Sequence, residues 1–377
     1  MRSSAPRIIP LQPTPAGPAL APWPVPLPTQ PDGLVRDALS RPLRDVRISV
    51  TDRCNFRCDY CMPRAHFGHD HAFLPQAALL TFEEIHRTAR LLVRLGVRKI
   101  RLTGGEPLLR RGLDDLVAML SPLRTPEGRP IELALTTNGV LLSRMAERLK
   151  AAGLHRITVS LDALNPALFR RMADADVDVA TVLEGIEAAQ AAGLDPIKVN
   201  MVVRRGLNDH EILPMARHFR GRGVELRFIE FMDVGHTNRW RLDDVLPSAE
   251  VRQIIHAAHP LSPLHPDAPS DTAQRWRYND GQGSVGFISS VTQAFCGHCT
   301  RLRLSTDGRL YTCLFAREGR DLRQLLRDPG CTDADIERAL AALWAQRQDR
   351  YSETRRVDQP PEALVDGGRP EMSYIGG

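Results

Sequence analysis

The hydrophobic pattern of the chain changes near residue 46 into short β-rich runs that alternate with amphipathic stretches. The runs lie at residues 46–50, 99–103, 132–137, 156–161, 197–203 and 225–231. Between them, apolar residues recur with the spacing of a helix that has one buried face. Six strands that alternate with helices indicate parallel βα units. Because a closed barrel of this kind has eight units, the pattern predicts an α/β fold with an incomplete, TIM-like (β/α)6 barrel.

Two of the predicted helices begin with residues that can cap a helix N-terminus. Thr81 with Glu84, and Asn208 with Glu211, each precede an apolar helical face. In such pairs the first side chain accepts a hydrogen bond from a backbone N–H of the first turn, and the second side chain accepts one in return. Gly96 follows the first of these helices and is expected to end it.

Residues that could bind a ligand or take part in a reaction lie where the predicted strands end. TGGEP at 103–107 follows the second strand, and TTNG at 136–139 belongs to the end of the third. Ser160, Lys198 and Met232 lie in or directly after the fourth, fifth and sixth strands. In a βα barrel the carboxyl ends of the strands meet at one mouth, where the active site lies. The sequence therefore predicts that these residues share one site.

Composition divides the chain into three regions. Ten prolines fall in the first 31 residues, and proline blocks both helices and central strands. Residues 1–40 are therefore predicted to be an extended, mostly disordered tail. Residues 41–240 hold the alternating pattern, and residues 241–377 are expected to form a smaller C-terminal domain. Within it the sequence predicts a linker at 259–274, a β-like run at 283–291 and helices near 319–327 and 333–349.

The overall composition is that of an ordinary water-soluble protein. The 377 residues are 42% hydrophobic and 25% charged, and the formal net charge is +5. This mild basic excess suits an anionic small ligand as well as nucleic acid and does not choose between them. No apolar run is long enough to predict a transmembrane helix, and the N-terminus lacks the pattern of a secretory signal. We therefore expect a cytoplasmic protein without a membrane partner.

Six of the seven cysteines fall into two groups of three. In a reducing cytosol, clustered thiols indicate metal ligands rather than disulfides. The first group, in CNFRCDYC, has the spacing C-x3-C-x2-C and contains Cys54, Cys58 and Cys61. Three thiolates can hold an iron–sulfur cube and leave one iron open to a ligand, whereas a structural zinc site takes four ligands. The alternative is a zinc site completed by His66, His69 or His71.

The second group is followed by a pair of arginines. It has the spacing C-x2-C-x13-C and contains Cys296, Cys299 and Cys313. Zinc is again the alternative, with His298 or Cys331 as a fourth ligand. Arg301 and Arg303 alternate in a short extended run, so their side chains point the same way. Two guanidiniums beside an open metal position favour an anionic substrate such as a phosphate, although an exposed strand face would show the same pattern.

The first cysteine motif resembles that of radical S-adenosylmethionine (SAM) enzymes, and a longer set of motifs resembles one family among them. The motifs are RDVRISVTDRCNFRCDYCMP, KIRLTGGEPLLR, LTTNG, VSLDAL, IKVNMVV, RFIEFMDVG, FCGHCTRLRLSTDGRLYTCLF and the terminal YIGG. Together they are similar to the GTP 3',8-cyclase family, also called molybdenum cofactor biosynthesis protein A. The similarity runs from about residue 41 to the last residue, and the C-terminal cysteine motif separates this family from other radical SAM enzymes.

The resemblance implies a role for each matching residue. Cys54, Cys58 and Cys61 would hold a [4Fe–4S] cluster that binds SAM. The SAM contacts would be Tyr60, Gly105, Ser160 and Met232. A second [4Fe–4S] cluster, facing the guanine of GTP, would be held by Cys296, Cys299 and Cys313. The GTP contacts would be Arg47, Arg101, Thr136, Lys198, Arg301 and Arg303. Gly376 and Gly377 would form a functional tail that enters the active site, and Cys331 matches no ligand.

The implied reaction is a radical cyclisation, the first step of molybdenum cofactor biosynthesis. SAM is cleaved to methionine and a 5'-deoxyadenosyl radical, which takes the 3' hydrogen of GTP. The products are (8S)-3',8-cyclo-7,8-dihydroguanosine 5'-triphosphate and 5'-deoxyadenosine. The implied partners are an external electron donor, a downstream cyclic pyranopterin monophosphate synthase and a second copy of the chain in a homodimer, with no nucleic acid.

Two other interpretations remain open at this stage. One is a different two-cluster radical SAM enzyme, such as a peptide maturase, whose second cluster is fully ligated and only relays electrons. Cys331 as a fourth ligand would favour it, and the two arginines count against it. The other is a non-enzymatic iron–sulfur or zinc protein that binds nucleic acid. The 5% aromatic content and the dispersed arginines do not support that interpretation.

Overall fold

The computed structural model describes residues 34–355 and 368–376. Its strands are β1 Asp45–Ser49, β2 Lys99–Thr103, β3 Glu132–Thr137, β4 Arg156–Ser160, β5 Ile197–Val203, β6 Val224–Glu230, β7 Leu261–Pro263, β8 Gln274–Tyr278, β9 Ser284–Ile288, β10 Arg301–Leu304, β11 Arg309–Tyr311 and β12 Arg320–Asp321. Its helices are α1 Phe82–Arg94, α2 Leu113–Leu120, α3 Leu142–Ala151, α4 Pro166–Ala173, α5 Val179–Ala191, α6 Ile212–Phe219, α7 Ser248–Ala258, α8 Arg323–Arg327, α9 Asp333–Ala345, α10 Tyr351–Thr354 and α11 Met372–Ile375.

The six predicted strands are present and form the parallel centre of the sheet. Strands β1 to β6 pair in chain order, each parallel to the next. Their observed bounds differ from the predicted ones by at most one residue at either end. Helices follow each strand and cover the outer face, where their apolar residues join the core. The incomplete (β/α)6 barrel is therefore confirmed.

The C-terminal third of the chain adds strands to both edges of this parallel sheet. β10 pairs parallel with β1, and β11 and β12 continue outward from it. At the other edge, β9 pairs parallel with β6, followed by β8 and β7. The result is one sheet of 12 strands within the described residues. The domain boundary near residue 240 stays a prediction, because the sheet is continuous across it.

The local expectations have mixed outcomes. Thr81 and Glu84 form the predicted capping box, and Gly96 ends α1 with a φ of +112°. The second capping prediction is wrong, because Asn208 donates from its side chain to the carbonyls of Asp162 and Val202 instead. Glu211 likewise accepts from the backbone of the β4–α4 loop. Both side chains tie neighbouring strand ends together rather than capping α6.

Two regional expectations are also corrected. The predicted linker at 259–274 contains β7, and the predicted helix near 319–327 is divided between β12 and α8. Residues 1–33 of the predicted tail lie outside the described residues. Residues 356–367 and Gly377, near the C-terminus, lie outside them as well. Residues 34–40 are not a loose tail, because Val35 is buried and the Asp37 carboxylate is enclosed between two arginines. In the described part of the chain, no helix combines the length and apolar character needed to span a membrane.

Candidate functional site

Both cysteine groups face one large cavity inside the barrel. Its volume is about 1160 Å³, and it extends from the first cysteine loop to the loop that precedes β10. Its walls include all six cysteines of the two groups and every predicted SAM and GTP contact: Cys54, Cys58, Cys61, Cys296, Cys299, Cys313, Tyr60, Gly105, Ser160, Met232, Arg47, Arg101, Thr136, Lys198, Arg301 and Arg303. The structure thus brings together residues that lie more than 250 positions apart in sequence. The strand-end pattern predicted a shared site for the residues of the first six strands, and the resemblance added those that follow residue 295.

The two glycines after β2 position the first cysteine loop. A Cβ on Gly104 would lie 2.6 Å from the carbonyl oxygen of Thr51, and one on Gly105 would lie 2.3 Å from that of Arg53. Gly105 and Glu106 donate their backbone N–H groups to the same two carbonyls, each at 2.8 Å. The glycines therefore allow two loops to touch. Both glycines also line the cavity, and the role of Gly105 as a SAM contact stays a prediction.

Glu106 has its carboxylate fully engaged within the protein. It accepts hydrogen bonds from the hydroxyl of Thr137 and the N–H of Asn138, both at 2.7 Å, and from the N–H of Leu108 at 2.9 Å. Burial raises the pKa of Glu106 to about 7, against the effect of these donors. The side chain joins the end of β2 to the end of β3 and lines the cavity.

The thiols of the first group suit a metal that binds them as thiolates. Burial raises the pKa of Cys54 to about 11 and raises that of Cys58 well above its usual value. These thiols are free, half-buried and directed to the cavity. An iron–sulfur cluster supplies the positive charge that such buried thiolates need. The histidines proposed as zinc ligands, His66, His69 and His71, are exposed and do not line the cavity.

Tyr60 is held in place by Asp162. The tyrosine hydroxyl donates to one carboxylate oxygen at 2.6 Å, and the N–H of Val202 donates to the other at 2.8 Å. Burial raises the pKa of Asp162 to about 6, and the Tyr60 hydrogen bond opposes that shift. Asp162 lies just past the end of β4 and joins the cysteine loop to β5. It therefore fixes the ring of Tyr60 at the cavity wall.

The second cysteine group lies in a strongly positive setting. Arg301 donates to the Sγ of Cys299 at 3.4 Å. Burial alone would raise the pKa of Cys299, but Arg301 and Arg347 lower it to about 6. His298 lines the cavity, whereas Cys331 does not and lies at the start of α9, with its Sγ 3.9 Å from the carbonyl of Thr332. Cys331 is therefore not placed to be a fourth ligand, which removes the feature that would have favoured a fully ligated relay cluster.

Three arginines form a row across neighbouring strands of the barrel. Arg303 on β10 is in register with Arg47 on β1, which is in register with Arg101 on β2. Burial, followed by repulsion from neighbouring arginines that include Arg303 and Arg101, lowers the pKa of Arg47 well below its usual value. Burial is also the main cause that lowers the pKa values of Arg101 and Arg303 to about 10. Lys198, on β5, has its pKa lowered to about 7, chiefly by burial. A polyanion in the cavity would relieve this crowding of positive charge.

Further basic residues on the same wall were missed from the sequence. Lys99 and Arg156 share Glu132 as a partner. Arg227 and Arg275 share Glu225 in the same way. These four basic residues and both glutamates line the cavity. The signal was present in β2, where Lys99 stands two residues before Arg101 and so shares its face.

The C-terminal tail enters the barrel beside these arginines. Met372 and Ser373 line the cavity, and the carbonyl of Ile375 accepts a hydrogen bond from Arg303 at 3.4 Å. Gly376 is buried with a φ of +79°, and a Cβ there would lie 2.3 Å from the Cγ2 of Thr103. The prediction for Gly377 lies outside the described residues. For Gly376 the structure places the backbone where only glycine fits.

Two family profiles match consecutive parts of the chain. Residues 48–219 match the profile of the Radical SAM superfamily, and residues 224–353 match that named Molybdenum Cofactor Synthesis C. A GTP 3',8-cyclase from Acidothermus cellulolyticus is 53% identical over 93% of this chain and 100% of its own length. Proteins of the same name from Xanthomonas axonopodis pv. citri and Staphylococcus epidermidis are 49% and 44% identical, over 89% and 91% of this chain and 99% of their own lengths.

Solved structures support the fold. The crystal structure of Streptococcus suis SuiB bound to S-adenosylmethionine has a TM-score of 0.54 at 13% identity, covering 77% of this chain and 67% of that one. The complex of SuiB with its precursor peptide SuiA also gives 0.54, at 14% identity, covering 81% of this chain and 65% of that one. At such low identity the likeness is one of fold alone. The cyclase relatives are much more similar and extend over nearly the whole chain, so the chain belongs to the GTP 3',8-cyclase family of radical SAM enzymes.

Proposed function

We propose that this chain converts GTP and SAM to (8S)-3',8-cyclo-7,8-dihydroguanosine 5'-triphosphate, 5'-deoxyadenosine and methionine. The observation that carries the proposal is a single cavity with one cysteine group at each end and a row of arginines between β10 and β2. The relatives that share nearly the whole chain bear the name of this activity. The cavity is large enough for two ligands of nucleotide size.

The cysteines would hold two [4Fe–4S] clusters. Cys54, Cys58 and Cys61 would hold the one that binds SAM, with Tyr60, Gly105, Ser160 and Met232 as SAM contacts. Cys296, Cys299 and Cys313 would hold the one that faces the guanine of GTP. When bound, the first cluster and SAM would supply the radical that takes a hydrogen atom from the substrate.

The chain's own residues would bind and orient GTP. Arg47, Arg101, Lys198, Arg301 and Arg303 supply the positive charge that a triphosphate needs. Arg101 already donates to the hydroxyls of Thr136 and Thr158, which hold its guanidinium against the wall. Arg101 is therefore held in place before GTP binds, which would help to keep the ribose at a fixed distance from the SAM end. The tail would close the cavity beside Arg303 and exclude water.

The finer partners belong to the same proposal. The reaction needs an external one-electron donor to reduce the first cluster, and its product would pass to a cyclic pyranopterin monophosphate synthase. We further propose a homodimer in the cytoplasm, without a nucleic-acid partner.

The experiment that tests the proposal follows the hydrogen. Reduced protein is incubated without oxygen with SAM and GTP carrying deuterium at C3', and the deoxyadenosine is analysed by mass spectrometry. The expected result is one deuterium in deoxyadenosine, in amounts that rise with GTP. Deoxyadenosine that stays unlabelled at full turnover would contradict the assignment of the 3' position. Deoxyadenosine formed equally without GTP would contradict GTP as the substrate.

A further inference from the structure

We propose that Asp37, Arg41 and Arg347 form a positioning network for the second cysteine group and set the reduction potential of the cluster held there. The proposal rests on the second cluster of the proposed function. Arg41 and Asp37 lie before both matched profile regions, and Arg347 follows α9. None of these three residues is a predicted ligand of a cluster or a predicted contact of GTP.

The network is withdrawn from water. The side chains of Asp37, Arg41 and Arg347 are 0%, 2% and 1% exposed. Arg41 Nε lies 2.6 Å from Asp37 Oδ2, and Arg347 Nη1 lies 3.1 Å from the same oxygen. The other oxygen of Asp37 accepts the backbone N–H groups of Leu39 and Arg41, each at 2.9 Å. Charges buried so completely are costly and need this degree of mutual satisfaction.

The two guanidiniums reach the backbone of all three cysteine segments. Arg41 Nη1 donates to the carbonyl of Cys296 at 2.7 Å. Arg347 Nη1 donates to the carbonyl of Cys299 at 2.8 Å, and its Nε donates to the carbonyl of Thr312, next to Cys313, at 2.9 Å. One carboxylate thus orients two side chains that together hold the three ligand-bearing segments. Residues arranged in this way behind metal ligands fix the geometry and tune the metal.

A purely structural role would also bury such a network, since it joins residues 34–41 to the end of α9. Charge separates the two possibilities. The network carries two cations and one anion, and Asp349 adds a carboxylate oxygen 3.4 Å from Arg347 Nε. Arg347 Nη1 lies 2.8 Å from the carbonyl oxygen of Cys299, so its charge is placed directly behind a ligand-bearing segment. Cationic charge beside a cluster favours its reduced, more negative state.

Opposite changes to the network should therefore move the potential in opposite directions. Arg347→Gln removes a cation and should shift the midpoint potential of the second cluster to more negative values. Asp37→Asn keeps the side-chain shape, removes the anion and should shift it to more positive values. Arg41→Lys keeps the charge but loses the forked donor. It should leave the potential near that of the parent and speed iron loss to a chelator, on the order of 10- to 100-fold.

The variants are built in a Cys54→Ala, Cys58→Ala, Cys61→Ala background, so that only the second cluster can form. Iron is counted after anaerobic reconstitution, and the midpoint potential is followed by electron paramagnetic resonance. Arg338→Gln is the matched control, because it breaks an Arg–Asp pair on the surface of α9, at Asp335. It should change neither the potential nor the rate of iron loss.

The possible failures can be told apart. Shifts of opposite sign in Arg347→Gln and Asp37→Asn support the proposal. Equal potentials in all variants, or shifts of the same sign, would overturn the network as an electrostatic device while leaving the second cluster in place. A background protein that binds no iron would overturn the second cluster of the proposed function and the network with it.

Discussion

The buried glycine near the end of the tail can be tested by adding one methyl group. In Gly376→Ala the new Cβ would meet the Cγ2 of Thr103 at 2.3 Å, and the backbone would keep a φ of +79° that alanine rarely adopts. A strained backbone of this kind costs about 1–3 kcal/mol, and overpacking of a buried contact costs about 1–3 kcal/mol more. Even the lower sum, about 2 kcal/mol, reduces the ratio of docked to undocked tail about 30-fold.

The assay reads tail docking and catalysis separately. Amide hydrogen exchange of residues 372–376 reports docking, and deoxyadenosine formation with GTP reports activity. In Gly376→Ala, exchange should speed up about 30-fold or more and activity should fall with it, while the iron content stays unchanged. A second substitution, Thr103→Ser, removes the clashing methyl and keeps the hydroxyl. The double variant should recover the overpacking part of the loss and retain the backbone part.

A matched control isolates the backbone cost. Gly281 also has a positive φ, +78°, but a Cβ there would meet no atom within 4 Å. Gly281→Ala should lower overall stability by about 1 kcal/mol and leave tail exchange and turnover unchanged. Wild-type exchange and turnover in Gly376→Ala would refute the fit of the tail. A double variant no better than the single one would refute the clash with Thr103.

Three further predictions concern the ligands of the cavity. Cys313→Ala should lose about four of roughly eight irons per chain, whereas Cys331→Ala should lose none; bound zinc in place of iron in protein purified without oxygen would refute two clusters. Arg303→Ala should weaken GTP binding about 10- to 100-fold with the iron content unchanged, and normal binding would leave the arginine row without a role. Arg301→Ala is expected to act similarly but also removes a donor to Cys299, so Arg303 is the cleaner site. The pKa of Lys198 is lowered to about 7 by burial, so its positive charge is present below that pH and lost above it. GTP affinity should therefore fall as the pH rises through 7, and Lys198→Arg should flatten the profile in equilibrium binding.

The parallel centre of the fold could be predicted because local pattern and tertiary packing agree there. Each of the six strands is a short β-rich run between stretches whose apolar residues have helical spacing. Strands that are consecutive in the chain are also neighbours in the sheet. The edges could not be predicted in the same way. β10 pairs with β1 although more than 250 residues separate them, and the sequence RLRL does not indicate which strand it pairs with. Asn208 fails as a predicted cap for the same reason, since its hydrogen-bond partners lie just past the end of β4 and in β5.

The sequence predicted which residues lie at the strand ends of the site, but it did not predict what each side chain would face there. Chain order put Gly105 at a strand end, and the resemblance added its role toward SAM. Whether its missing Cβ faces a ligand or another loop depends on the carbonyl of Arg53, which belongs to the loop after β1. Lys99 was missed because a basic residue at a strand start is usually solvated. It counts as part of the wall only once its cross-strand partner Glu132 is known.

The continuous sheet has a consequence for synthesis of the protein on the ribosome. β1 and β6 are the edges of the parallel centre, and each acquires its outer neighbour only from residues beyond 283. At roughly 5–20 residues per second, the nascent chain would spend seconds with both edges complete but uncovered. Exposed backbone edges of this kind pair readily with other chains. A fragment that ends near residue 240 should therefore aggregate. In the full chain, the edges of the parallel centre are protected from pairing with other chains only after the last strands have left the ribosome.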